Sequence, residues 1–336
     1  MDLTLDETQQ QLADSVRAFV KRSWSLSRLR EVEAGEPGFD IDLWKLVSEL
    51  GWPGLLLPDD HGGSAQGMVE FVVVCEELGR GLFASPLITS ATLVALPLLW
   101  AGTTEQRRRW LPELAAGTVI GTLVIPERVL GPWAGTADLV LAVDADGGLV
   151  AFDARAEDVT CARHRTLGGD PLYDVAVSGA AANAEIERAI DHAAVASLAY
   201  QVGAAERALE MTVEHAKARE QFGRPIGSFQ AVAHRCADMR ADIDACRYLA
   251  YQAAWALDHR PSADLEVAAA KAYGNDALRR VYMHAHQVHG AVGFSTEHDL
   301  HLFTRRAKAF ELSYGSTSEH HARVAAAMGL GTGADQ

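Results

Sequence analysis

Arginine, phenylalanine, glycine and proline are concentrated in AREQFGRPIGSFQ, residues 218–230, between two long stretches of helical apolar spacing. Gly223, Pro225 and Gly227 interrupt any helix there. Arg219 and Phe222 are therefore expected at the end of one helix, with Phe229 and Gln230 opening the next. A guanidinium can bond two phosphate oxygens at once and a phenyl ring can stack, so the turn suits a pyrophosphate and an adenine.

Further stretches stand out in order: ELGWPGLLLPDDHGGSAQG at 49–67, CEELGRGLFASP at 75–86 and QVHGAVGF at 287–294. Residues 218–230 resemble the R-x-x-F-G flavin-contact motif of the acyl-CoA dehydrogenase family, and 287–294 are similar to its Q-x-x-G-G-x-G-F stretch. Residues 49–67 are similar to the family's opening turn, and 75–86 come after it as they do in the family. The agreement keeps the family's order and spans most of the chain. The resemblance implies bound FAD, with Arg219 and Phe222 at the pyrophosphate and adenine and Gln230 at the ribityl or phosphate region. It puts Gln287, Gly290 and Gly293 against the dinucleotide of a neighbouring subunit, and Thr317 and Glu319 near adenine and phosphates. Ala291 replaces one family glycine. Plain structural roles compete: Gly290 and Gly293 can end a helix, and Gln230 can cap one.

The implied reaction removes the proton α to a thioester while the β hydrogen leaves as hydride to flavin. That proton is weakly acidic, so a desolvated carboxylate is needed. In most members it is the glutamate of a Y-E-G-T-S-E stretch; here residues 313–321 read SYGSTSEHH, and the position falls on Tyr314 or Gly315 according to alignment. Some relatives carry the base about 26 residues before the motif arginine, which arrives here at Ala193, beside Asp191 and His192. Asp191 is a weak candidate, read first as a solvated residue of the first helical turns. Glu311 is another, read as half of a surface ion pair with Lys308. His320 and His321 read as surface residues. The usual base is absent.

The elements that must position these groups come from periodicity. Apolar steps predict helices around Leu12–Val20 and Leu43–Leu50, a helix through Val69 and Leu78 ending at Gly79 and Gly81, and helices over 90–100 and from Thr103 or Thr104 to Leu111. Residues 118–181 turn to short Val- and Leu-rich runs with Gly and Asp, the signature of strands, with DADGG as a hairpin. Long helices are expected over about 186–218, 232–257 and 264–288, with a last one from about Ser318. The fold class is mainly α and acyl-CoA dehydrogenase-like: an N-terminal helical domain (1–117), a small middle β domain (118–181) and a C-terminal four-helix bundle (182–330). Against the family pattern the β domain is truncated. Val124 and Ile125 replace an expected Thr and Glu before Pro126, and Trp133 is left as an aromatic wall or an ordinary half-buried residue. The tail GLGTGADQ reads as disordered.

With 45 acidic against 30 basic side chains, a net charge of −15 disfavours nucleic acid. No apolar run spans a bilayer and MDLTLDETQQ is no signal peptide, so a cytosolic protein without membrane insertion is expected. Cys75, Cys161, Cys236 and Cys246 lack C-x-x-C spacing and read as buried reduced thiols. No metal is called for. EHDLHLFTRR at 297–306 is similar to a branch of the family that acts on bulky acyl-CoA substrates and often works as a heteromer.

Three functions are consistent with these residues. One is a flavoprotein that desaturates an acyl thioester, on CoA or a carrier protein, with a displaced or partner-supplied base. The second is a non-catalytic partner subunit completing a longer homologue's flavin site. The third is a flavin-independent cyclase, lyase or hydratase on the same scaffold. A homodimer, a tetramer or a heteromer with a longer homologous subunit is expected.

Overall fold

The computed structural model describes residues 4–124, 130–144, 146–155, 160–176 and 184–330, and is mainly helical with small sheets. It divides into two compact units, one of Met1–Lys21, Cys75–Leu82 and Ala194–Gln336, the other of Arg22–Val74 and Phe83–Ala193. In chain order the first helices are α1 (Glu7–Ser23), α2 (Leu26–Glu33), α3 (Ile41–Glu49), α4 (Met68–Arg80), α5 (Leu96–Ala101) and α6 (Thr104–Ala115). The stretch Thr89–Ala95 before α5 is a π-helix.

Local chemistry sets several boundaries. Thr103 caps α6: its hydroxyl accepts from the Gln106 N–H at 3.2 Å, and the Gln106 side chain accepts from the Thr103 N–H at 2.8 Å. In α3 the buried face is Leu43, Trp44 and Val47, because the Trp44 indole donates to the Gly117 carbonyl at 2.9 Å. Leu46 and Leu50, expected on that face, are consequently exposed. Gly79 does not stop α4 but sits inside it. A Cβ there would lie 1.9 Å from the Tyr200 carbonyl oxygen, and one on Gly203 would lie 1.8 Å from that of Glu76. The two glycines let two backbones touch.

Two three-stranded sheets occupy the second unit. In one, β1 (Gly121–Leu123) pairs parallel with β3 (Leu139–Val143), which pairs antiparallel with β4 (Leu149–Asp153). In the other, β2 (Leu130–Pro132) and β5 (Thr160–His164) flank β6 (Leu172–Ala176), both antiparallel. The DADGG hairpin is present: the Asp144 carboxylate accepts from the Asp146 and Gly148 N–H groups at 3.0 and 2.8 Å, and Gly147 takes φ +85°. Ala145, Ile125, Pro126 and the tail from 331 lie outside the described residues. Trp133 is neither half-buried nor exposed as a wall. It is buried, with its ring 5.7 Å edge-on from Phe39.

The first unit is built on α7 (Ala184–Ala218, from Ala194 onward), α8 (Gln230–His259) and α9 (Asp264–His289), as the spacing predicts. A two-stranded hairpin, β7 (Glu220–Gln221) and β8 (Arg224–Pro225), joins α7 to α8. Spacing singles out no helix over 300–312, yet α10 (Leu300–Leu312) lies there, before α11 (Thr317–Ala327). Two acidic residues of 75–82 are withdrawn from solvent. Glu76 and Glu77 are buried; Glu77 accepts from Arg17 at 2.6 and 2.9 Å, and Glu76 from Arg247 at 2.8 Å. All four cysteines are free, and Cys75 and Cys246 are buried. Cys161 is exposed on an outer strand and Cys236 only half-buried, against expectation.

Candidate functional site

The turn after α7 is a two-residue hairpin with Phe222 at φ +56° and Gly223 at φ +78°. Positive φ at both central residues is what the twist of paired strands favours. Glycine accepts it freely, whereas a bulky aromatic is strained there. Phe222 is nonetheless 91% exposed, its ring 6.0 Å edge-on from Phe229. Arg219 is exposed just past the last residue of α7, its N–H donating to the His215 carbonyl at 2.8 Å. The Arg224 guanidinium lies 4.2 Å over the Phe229 ring. Gln230 is the exposed first residue of α8, whose N-cap is Phe229 rather than Gln230.

The second motif closes α9. Gly290 is its C-cap at φ +62°, ψ −140°, a conformation for glycine alone, and a Cβ built there meets nothing within 4 Å. Gly293 is buried, and its Cβ would come within 2.9 Å of the His289 side chain. Gln287 is exposed on the last turn of α9. The two motifs meet through His215, which precedes the first, and His289, which stands at an unspecified position of the second. The His215 ring stacks on His289 at 4.6 Å and 25°, and His298 packs edge-on against His289 at 4.8 Å. This brings the end of α7 beside the end of α9. Burial first, then neighbouring imidazoles, push the His289 ring down to about 4, against a favourable bond to the Ala285 carbonyl. Repeated histidines at 284, 286, 289, 298 and 301 were the available signal.

Tyr314 and Gly315 both take left-handed backbone, φ +59° and +102°. His320 is buried rather than on the surface. Its Nε2 donates to the Tyr314 carbonyl at 2.9 Å and would sit 2.5 Å from a Cβ on Gly315, so Gly315 is required by its turn. Thr317 opens α11, and Glu319 completes a capping box with Ser316, accepting from the Ser316 N–H at 2.6 Å. That bond accounts for Glu319 locally, as a helix cap.

Neither carboxylate candidate is solvated. Asp191 is buried in the part of α7 that belongs to the second unit. Beside it His192 is buried against Trp100, which drives its ring down to about 4. Glu311 does pair with Lys308, at 2.8 Å, and lies 3.6 Å from Arg279, but its side chain is only 12% exposed. It faces a cavity of about 530 Å³ between α7, α9 and α10, whose wall also includes Gln201, Asn275, Tyr282, Gln287 and Gly290.

A flavin dinucleotide can be tested against these positions. The exposed Phe222, the free approach to the Gly290 backbone and the exposed Arg219 fit its nucleotide end. The strands offer its ring less. Val124 has no hydroxyl, the buried Thr122 hydroxyl is committed to the Pro132 carbonyl at 2.7 Å, and Trp133 is packed on Phe39.

A mainly helical chain with small sheets, carrying these two motifs at adjoining helix ends, has the architecture of acyl-CoA dehydrogenases. The family's N-terminal domain matches residues 6–118 and its C-terminal domain residues 184–329, and the chain belongs to the acyl-CoA dehydrogenase family. The family is one of FAD-dependent oxidoreductases. The chain is similar to the acyl-CoA dehydrogenase IpdE2 of Mycolicibacterium smegmatis, 33% identical over 325 residues, covering 96% of this chain and 99% of that protein. Its identity to IpdE2 of Mycobacterium tuberculosis is 34% over 307 residues, covering 91% and 92%. Among solved structures it is similar to a chain of the ChsE4-ChsE5 complex from Mycobacterium tuberculosis, with TM-score 0.88 and 29% identity over 98% of this chain and 99% of that one. A variant of the Tcur3481-Tcur3483 steroid ACAD gives TM-score 0.87 and 28% identity over 97% and 99%. Among the described residues no helix is long and apolar enough to cross a membrane.

Proposed function

We propose that this chain is the non-catalytic subunit of a heteromeric acyl-CoA dehydrogenase acting on a bulky acyl thioester. It lends its Arg219–Phe222 turn and its Gln287–Gly290 stretch to FAD held chiefly by a longer homologous subunit. The observation that carries this is an asymmetry. The nucleotide-facing motifs adjoin through His215 and His289, while no carboxylate stands at Tyr314 or Gly315 and the strands offer the flavin ring no free hydroxyl at Thr122. Similarity to a chain of the ChsE4-ChsE5 complex and to the Tcur3481-Tcur3483 steroid ACAD supports the same reading.

In this role Arg219 would bond the diphosphate with its guanidinium, Phe222 would stack on the adenine, and Gly290 would let backbone approach a phosphate. Thr317 and Glu319 would lie toward the same nucleotide. Bound flavin supplies the hydride acceptor for the β hydrogen of the acyl group. The α proton would go to a carboxylate of the partner subunit, because neither Tyr314 nor Gly315 offers one.

The test is co-expression with the longer homologue. The assembly is expected to purify yellow, with flavin bleached by acyl-CoA, and the chain alone to bind little FAD and turn nothing over. Full turnover by the chain alone would end this reading. One observation favours a second: Asp191 is buried, as a displaced base would have to be. Under that reading the chain alone is active and Asp191→Asn abolishes the activity.

A further inference from the structure

Lys271 is a buried ionisable group that the proposed function leaves unused. It is 1% exposed on α9, and its Nζ donates to the Phe310 carbonyl in the last turn of α10 at 2.8 Å. Among the described residues no carboxylate pairs with it. Glu311, the carboxylate that acts on it, is bonded instead to Lys308 at 2.8 Å and stands 3.6 Å from Arg279. An ammonium in such a place has lost its water and gained one carbonyl, so the packed protein favours the uncharged amine. Burial accordingly lowers the group to about 7, with Glu311 opposing.

The other groups around it do not compensate. Arg306 is buried on α10 one turn before Phe310 and adds a like charge. From α11, His320 bonds the Tyr314 carbonyl and Arg323 stands 3.5 Å from Asp264, two turns before Lys271 on the same face of α9. From α8, Asp242 reaches Tyr273 and Arg280, on the opposite face of α9. From α7, the Tyr200 ring lies 5.0 Å from that of Phe310. What the amine holds is a strained connection. Phe310 leads into the turn in which Tyr314 and Gly315 take φ +59° and +102°, the first of them disfavoured for a bulky residue. Lys271 fixes the α10 end of that turn and His320 its middle.

We propose that Lys271 is a proton-operated latch: uncharged, it bonds the Phe310 carbonyl and keeps α10 seated on α9, and on taking up a proton it turns to water and frees the turn at Ser313–Ser316. An opened turn gives the amine its ordinary affinity for protons, with a pKa of about 10.4, whereas the seated turn holds it to about 7. Falling pH therefore favours opening between those values and has no further effect below about 7. The latch needs neither flavin nor partner. Under the proposed function Thr317 and Glu319 follow the same turn, so only the link to flavin retention rests on that reading.

Amide hydrogen exchange of the full chain is read on peptides covering 311–320, corrected for intrinsic rates and followed from about pH 7 to about pH 9, above the range of ordinary carboxylates and imidazoles. Protection there is expected to rise between about fivefold and about tenfold per pH unit, while peptides of α8 stay level. Lys271→Met keeps the length of the side chain without the amine, and its protection is expected not to change with pH. Lys271→Arg is charged throughout and is expected to show the low, level protection of the opened turn; if it does not fold, the methionine variant carries the test. A level wild-type profile, a wild-type slope retained in Lys271→Met, or an equal slope in α8 would overturn the latch. The assembly with the longer subunit is followed over the same range, its flavin read from visible absorbance. An assembly without flavin whose turn keeps its slope would sink the proposed function and leave the latch standing. A yellow assembly with a level profile over 311–320 would overturn the latch alone.

Discussion

The imidazoles of His215 and His289 stack at 4.6 Å, one a turn before Arg219 and the other directly before Gly290. This contact aligns the ends of two long helices. Stacked aromatic pairs contribute about 0.5–1.5 kcal/mol beyond their burial. A double-mutant cycle of His215→Ala and His289→Ala in urea denaturation is expected to give a coupling in that range. A coupling near zero would mean that the rings merely lie together.

Burial holds His289 and His192 down to about 4, below an unfolded value near 6.5. Between those values the unfolded chain binds protons that the folded chain refuses. The stability they contribute is whole above about 6.5 and is lost as pH falls towards about 4. The urea midpoint should therefore drop across that window, and His289→Gln and His192→Gln should each flatten the decline. A decline of the same depth in both variants would assign it to other groups.

Arg247 is the hub of a buried charge network. It donates to Glu76 at 2.8 Å, to Glu206 at 2.9 Å and to Asp244 at 2.7 Å, while Arg240 also reaches Glu206 at 2.5 Å and the Tyr251 hydroxyl donates to Glu76 at 3.1 Å. Burial drives the Glu76 carboxyl up and Arg247 opposes it. Arg247→Met leaves the buried Glu76 carboxylate without its cation, while Glu206 keeps Arg240, and should cost about 3–5 kcal/mol in chemical denaturation. Glu76→Gln added to it should recover part of the loss; full additivity would argue against a shared network.

Tyr314 or Gly315 falls where the resemblance puts the usual base, and neither carries a carboxylate. Tyr314→Phe is expected to leave kcat of the assembly unchanged. A kcat loss of about tenfold or more, a cost of roughly 1.4 kcal/mol in the barrier, would bring the phenol into the chemistry.

Much of the architecture was readable from residue spacing. The helices α7, α8 and α9 keep steps of three and four over many turns, and the Gly-rich hairpin in the sheets announces itself by chemistry. Gly79 was misread because a glycine that stops a helix and one that admits a neighbouring backbone look alike in one dimension. Leu46 and Leu50 were misplaced because the Trp44–Gly117 bond rotates α3. Helix α10 was hidden because His301, Arg305, Arg306 and Lys308 blur the apolar stripe that Leu300, Phe303 and Ala307 form.

By itself the sequence determined the family, the two family-like motifs at 218–230 and 287–294, and the lack of a carboxylate at Tyr314 and Gly315, since these depend on residue identity and local order. Only the tertiary structure decided that Asp191, Glu311 and His320 are withdrawn from solvent and that His215 meets His289. It alone shows Lys271 buried with its amine on the Phe310 carbonyl. Burial and partnership are made by segments far apart in the chain, and no local pattern encodes which side chains those segments bring face to face.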